Sequence, residues 1–141
     1  MVLEQIAWAY NIYELNDEEK VMSTKQNTSI TKLKGLIKFA GRLYGVLSNQ
    51  THLDPSIHNQ YLKNTEDKYY VIYSSLRLMN YSLYLFLLIV DIYRIVSEKI
   101  SNEFIGEFNA WKKNNFGELF LLNNRPLSDD VRQLEEKLFK K

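Results

Sequence analysis

The sequence predicts an all-α fold, a compact bundle of five or six helices around one long apolar helix. Three observations carry that expectation. Apolar residues recur at three- and four-residue steps through most of the chain, the spacing of one helical face. Only five Gly and two Pro occur in 141 residues, so breaks are few and elements long. From Glu66 to Glu103 there is neither Gly nor Pro. At 1.5 Å per residue that stretch would run about 57 Å if unbroken.

The elements follow in chain order. Helix one is expected from Val2 to Leu15, with Leu3, Ile6, Ala7, Tyr10 and Tyr13 on one face, ending at Asn16-Asp17 or continuing one more turn through Val21-Met22. The polar segment from Ser23 to Thr28 reads as a loop, with Thr28 or Ser29 capping helix two. Helix two carries Ile30, Leu33, Leu36, Ile37, Ala40, Leu43, Tyr44 and Leu47 as a stripe. Gly35, Gly41 and Gly45 weaken it by about 1 kcal/mol each relative to Ala, and close helix–helix approach is the expected compensation. Asp54-Pro55 opens a short helix three ending near Leu62, since Asp caps free amides and Pro suits the first turn. Asn64-Thr65 gives a break. Thr65-Glu66-Asp67 then starts the long helix, with acids at the positive end of its dipole. Leu76, Leu83, Leu87 and Val90 form one stripe on it, and Tyr70, Tyr73, Tyr81 and Tyr84 another. Its middle is apolar nearly all round, which predicts burial on several sides. Ser101 to Lys113 reads as helical. Phe116 to Leu122 is a short apolar run that periodicity assigns to neither strand nor helix. Ser128, Asp129 and Asp130 start a final helix whose apolar face is Val131, Leu134, Leu138 and Phe139.

Composition bounds function by exclusion. One domain spanning residues 1–141 is long enough to bury a core. No Cys is present, which removes disulfides and thiolate metal sites and fits a reducing, cytoplasmic setting. Net charge is +1, so no global field points to nucleic acid or membrane. The N-terminus has an acid at Glu4 and no basic leader. The most apolar run, Leu78 to Val90, is shorter than the about 20 residues a membrane span needs and reads as a buried core helix. No cofactor is implied.

Charge is segregated beneath that small net value. Residues 1–19 hold five acids and no base, and residues 20–53 hold six bases and no acid. Lys34, Lys38 and Arg42 recur every four residues, one helical face that could track phosphates or be solvated, or face acidic helix one.

The dozen residues from Tyr44 to Pro55, Tyr-Gly-Val-Leu-Ser-Asn-Gln-Thr-His-Leu-Asp-Pro, concentrate the hydroxyl and titratable groups. A helix continuing to His52 would set Tyr44, Ser48 and His52 on one face, with Asp54 capping the next helix. The expected role of this corner is structural. His52 with Asp54 and His58 matches no strong metal-ligand spacing, and a metal set would need Glu66 or Asp67 to fold in. Ser48 beside His52 lacks a third orienting group and a nucleophile elbow. Arg and His can together cleave RNA without metal, but Arg42 precedes His52 by ten positions, about 15 Å on a helix, so a dimer partner would have to supply one of them.

The segments Leu3-Glu4-Gln5-Ile6-Ala7-Trp8-Ala9-Tyr10, Ser29-Ile30-Thr31-Lys32-Leu33-Lys34 and Leu43-Tyr44-Gly45-Val46-Leu47-Ser48, with His52 and Asp54-Pro55, resemble a group of bacterial helical domains of unknown function. The resemblance covers about residues 1–100. It implies an all-helical fold related to HEPN-type domains and no established activity. HEPN nucleases carry an Arg four to six residues before a His, a spacing this sequence lacks. In similar proteins further helix precedes the Leu3–Ile6 segment, so the resemblance implies a shortened chain whose helix-one apolar face favours self-association. The sequence as a whole points to a non-enzymatic helical interaction module, a homodimer or the binder of another protein. The alternative is a nucleic-acid-binding or RNA-cleaving domain using Lys34, Lys38, Arg42 and His52.

Overall fold

The computed structural model describes residues 2–15, 17–51, 61–65, 68–71, 75–102, 108–122 and 128–139. Those residues are mostly helical. In chain order they form α1 (Val2–Leu15), α2 (Glu18–Ser23), α3 (Gln26–Leu36), α4 (Lys38–Thr51), β1 (Leu62–Thr65), β2 (Lys68–Val71), α5 (Leu76–Ile100), β3 (Trp111–Lys113), β4 (Leu119–Leu121) and α6 (Asp129–Phe139).

The N-terminal half follows the apolar stripes with shifted boundaries. Asp17 caps α2, its carboxylate accepting from the amides of Glu19 and Lys20 at 3.1 and 3.3 Å. The expected loop over Ser23–Thr28 shrinks to Thr24-Lys25. The cap at Thr28 or Ser29 is not made, because α3 already begins at Gln26, with Lys25 at its N-cap position and no side-chain cap bond. The Thr28 and Ser29 hydroxyls instead donate back to the Lys25 carbonyl at 2.6 and 3.2 Å. Helix two is not continuous. It divides at Ile37, whose extended backbone (φ −122°, ψ 100°) ends α3. The break is held from both sides: Ile37 N–H donates to Leu33 O at 2.8 Å, and Ala40 N–H to Ile37 O at 3.0 Å. The Ile37 side chain is fully buried, so the corner is anchored in the core.

Close helix–helix approach does not explain Gly35 or Gly45. A methyl built on Gly35 or Gly45 would meet nothing within 4 Å.

The long helix is shorter than expected. Thr65 and Lys68 do not start it but close an antiparallel hairpin, pairing Leu62 with Val71 and Lys63 with Tyr70. The residues Tyr69-Tyr70-Val71 favour a pleated strand over a helix. The helix begins ten residues later, where Ser75 Oγ accepts from Leu78 N–H at 3.1 Å. From there α5 is unbroken for 25 residues. The expected helix three and its Asp54 cap fall mainly on residues 52–60, outside the described residues; Leu62 itself lies in β1.

The expected helix over Ser101–Lys113 is not formed in its described parts. Trp111–Lys113 pairs antiparallel with Leu119–Leu121, which assigns the ambiguous Phe116–Leu122 run in part to a strand. Tertiary bonds outweigh local helix preference here. Buried Glu98 of α5 accepts from Asn109 and Ala110 amides at 3.1 and 2.9 Å. The Trp111 indole donates to Ile95 O at 2.8 Å. Gly117, at φ +82°, makes the turn between the strands.

The core is one cluster. Leu3, Ile6 and Ala7 of α1 meet Ile30 and Leu33 of α3, while Leu88, Ile92 and Ile95 of α5 reach Trp111 and Val131. A buried polar pair, Asn11 Nδ2 donating to Ser29 Oγ at 3.0 Å, ties α1 to α3. Helices α1, α4 and α6 and strand β3 pack against α5. α6 docks there through Phe139, whose ring meets Tyr81 and Tyr84 edge-on at 6.4 and 5.5 Å. Asp91, buried in α5, accepts from Ser128 N–H at the start of α6.

Candidate interaction surface

One face of α5 is not covered by the described parts of the chain. Leu76, Met79, Leu83, Phe86 and Tyr93 are 74, 61, 47, 60 and 59% exposed. With half-buried Val90, Ser97 and Ile100 they alternate at steps of three and four. That is a strict heptad seam, the pattern by which one helix packs lengthwise on another. The opposite face, through Leu85, Leu88, Ile92 and Ile95, is buried in the core. The sequence expectation placed Leu87 in the stripe and left out Met79 and Phe86. The 3.5-residue spacing from Leu76 to Ile100 is the signal that finds them.

At its C-terminal end the seam opens into a groove between α5 and α1. The cavity is about 400 Å³, lined by Val2, Ile6, Ala9, Tyr93, Val96 and Ile100 among others. Most of this lining is apolar, suited to side chains rather than to charged ligands.

α5 is the one helix among the described residues long and apolar enough to cross a membrane by length and composition. Yet it carries buried Asp91 and Glu98, whose carboxylates bind backbone amides of Ser128, Asn109 and Ala110. Those bonds belong to a helix packed in a protein core.

The basic residues lie elsewhere. Lys34 lies in the last turn of α3, while Lys38 and Arg42 are one turn apart on α4, and all three are exposed. Despite the break at Ile37, the Lys34 side chain still reaches the first turn of α4. The Lys34 stem lies across Gly41, where a methyl would come within 2.8 Å of its Cδ. Absence of a side chain at Gly41 is what lets it lie there.

In the corner, α4 does extend to Thr51, so Tyr44 and Ser48 share a face. The Tyr44 hydroxyl donates to Glu4 Oε1 at 3.3 Å, tying α4 to α1. Burial, then the Glu4 charge, pushes that hydroxyl above its usual range, so it stays a donor. His52, Asp54 and His58 lie outside the described residues, as do Glu66 and Asp67. Among the described residues, no group of His, Asp and Glu could hold a metal ion.

Comparison with family models, curated proteins and solved structures gives no match for this chain.

Proposed function

We propose that the chain is a non-enzymatic, cytoplasmic helical module that self-associates through the outer face of α5. In this reading the helices form a compact bundle around α5, and a second copy supplies the cover that the described parts of the chain do not. The exposed heptad seam carries the proposal. Monomeric proteins leave few contiguous apolar patches beyond a few hundred Å², and a heptad seam is a helix-pairing surface. Light scattering at tens of micromolar should give twice the chain mass. A compact monomer at that concentration would sink the reading.

A second reading has its own observation: Lys34, Lys38 and Arg42 are all exposed, and the Lys34 stem crosses the break to lie against Gly41 of α4. Lys34, Lys38 and Arg42 would bind nucleic acid phosphates, and with His52 would form the RNA-cleaving site of a HEPN-like domain. Binding to single-stranded RNA should then weaken steeply as salt rises. Replacing all three by Gln should remove binding while helix content is unchanged. No binding by the wild type at about 50 mM salt, where phosphate contacts are strongest, ends this alternative.

A further inference from the structure

We propose that two copies pair through α5 in antiparallel fashion, with Leu76 and Met79 of each entering the α1–α5 groove of the other; this rests on the self-association reading above. The two ends of the seam differ in shape. At the N-terminal end Leu76 and Met79 are the most exposed seam residues. At the C-terminal end the seam recedes into a cavity of about 400 Å³ beside Val2, Ile6 and Ala9. One surface therefore carries both a projection and a receptacle, at opposite ends of the same helix. A two-fold axis near residue 88 brings each projection onto the other copy's receptacle, as an isologous interface requires.

That register also matches sizes. Leu76 falls opposite Ile100 of the second copy, Met79 opposite Ser97, Leu83 opposite Tyr93 and Phe86 opposite Val90. Large side chains meet smaller ones at Met79 and Phe86. Arg94, the one charged residue flanking the seam, falls beside Asn80 and Leu87 of the second copy and not opposite another cation. A parallel pair would instead set Leu76 on Leu76 and Met79 on Met79, leaving both grooves empty.

The area suffices. At about 200 Å² for a fully exposed large side chain, the five exposed seam residues alone offer about 600 Å² per copy. Specific interfaces bury about 600–1,000 Å² a side, a range whose lower end the exposed seam alone reaches.

Disulfide trapping tests the arrangement, because the chain has no Cys of its own. Full-length Leu83→Cys and Tyr93→Cys chains, distinguished by mass, are mixed and oxidised. Met79→Cys with Ser97→Cys gives a second pair, the latter nearly isosteric. Light scattering of each variant checks that it still pairs. In the antiparallel pair, Leu83 and its own copy are offset about 15 Å along the axis, beyond the about 7 Å that a disulfide spans. Mixed-chain disulfides should therefore dominate in both experiments. Same-chain disulfides would establish a parallel seam and overturn this arrangement while leaving self-association standing. Dimeric mass without any disulfide would also overturn it, placing the interface elsewhere. A monomeric wild type, whether free or bound to phosphatidylcholine vesicles, would overturn both proposals.

Discussion

At Glu98 a single carboxylate ties residues 109–110 to α5. It is buried, and it accepts from two successive amides, Asn109 and Ala110, which no helix or strand would otherwise satisfy. Glu98→Ala leaves both amides without this partner, and an orphaned buried donor costs about 1–3 kcal/mol. A thermal melt should show a loss of that size, and Glu98→Gln, which keeps one acceptor oxygen, a smaller one. Equal melting of wild type and Glu98→Ala would mean that water replaces the carboxylate. Asp17 gives a test by pH. The Lys20 side chain first, then the Lys20 and Glu19 amides, hold its carboxyl below the usual carboxylate range. The folded chain thus binds this proton more weakly than the unfolded chain does. Its stabilisation is full above the unfolded value, about 3.9, and fades as pH falls through the lower folded value. Asn also caps helices but does not titrate. The melting difference between wild type and Asp17→Asn should therefore be constant near neutrality and shift against the wild type in acid. A difference independent of pH would show that the cap bond does not form.

Among the elements, the glycines of α4 and of the β3–β4 turn are predicted to respond in opposite directions. Gly45→Ala adds a methyl into open space and should stabilise by up to about 1 kcal/mol, the helix preference of Ala over Gly. Gly41→Ala should gain less, since its methyl displaces the Lys34 stem. Gly117→Ala forces a Cβ into left-handed backbone at φ +82°, which costs about 1–2 kcal/mol. Chemical denaturation of the three variants checks the order; a stabilised Gly117→Ala would contradict the turn. The same elements show what was legible in the chain. α1, α5 from Leu76 onward and α6 were readable as helices, and in α1 and α6 most of the apolar face is also the covered one. The Val131–Leu134–Leu138 face of α6 is the plainest case. The two hairpins were not. The strand preference of Tyr69-Tyr70-Val71 is masked by a stretch without Gly or Pro in which Tyr70 also fits a helical stripe, and Trp111 is held by Ile95 and by its neighbours' bonds to Glu98, contacts that lie more than ten residues away in sequence. The division at Ile37 was hidden too, since an apolar residue continues the stripe whether the backbone bends there or not.

For the whole molecule, the question is which apolar surface stabilises the fold and which is left for a partner. Sequence reading marked α5 as apolar nearly all round and inferred burial on several sides. The fold buries Leu85, Leu88, Ile92 and Ile95 and leaves Leu76, Met79, Leu83 and Phe86 outward. Hydropathy is the same on both faces, so composition could not distinguish them; only the packing of α1, α4, α6 and β3 against one side does. The corner at Tyr44 was legible as far as α4 carries it, through Ser48 to Thr51, and its Tyr44–Glu4 bond was not, because the two residues lie 40 positions apart. This division of α5 sets the last prediction. Leu83→Glu with Phe86→Glu places carboxylates in the middle of the seam, at exposed positions outside the buried core cluster. Surface substitutions of this kind usually change fold stability by under about 0.5 kcal/mol, so circular dichroism and the melt of the isolated chain should barely move. At the centre of an interface the same two changes remove anchors each worth about 2 kcal/mol or more, and a two-fold pair would desolvate four carboxylates together. Sedimentation equilibrium should then show self-association weakened by at least about a hundredfold, the equivalent of 2.8 kcal/mol at 1.4 per factor of ten. If the double variant unfolds instead, the outer face of α5 belongs to the core of a single chain and not to its partner.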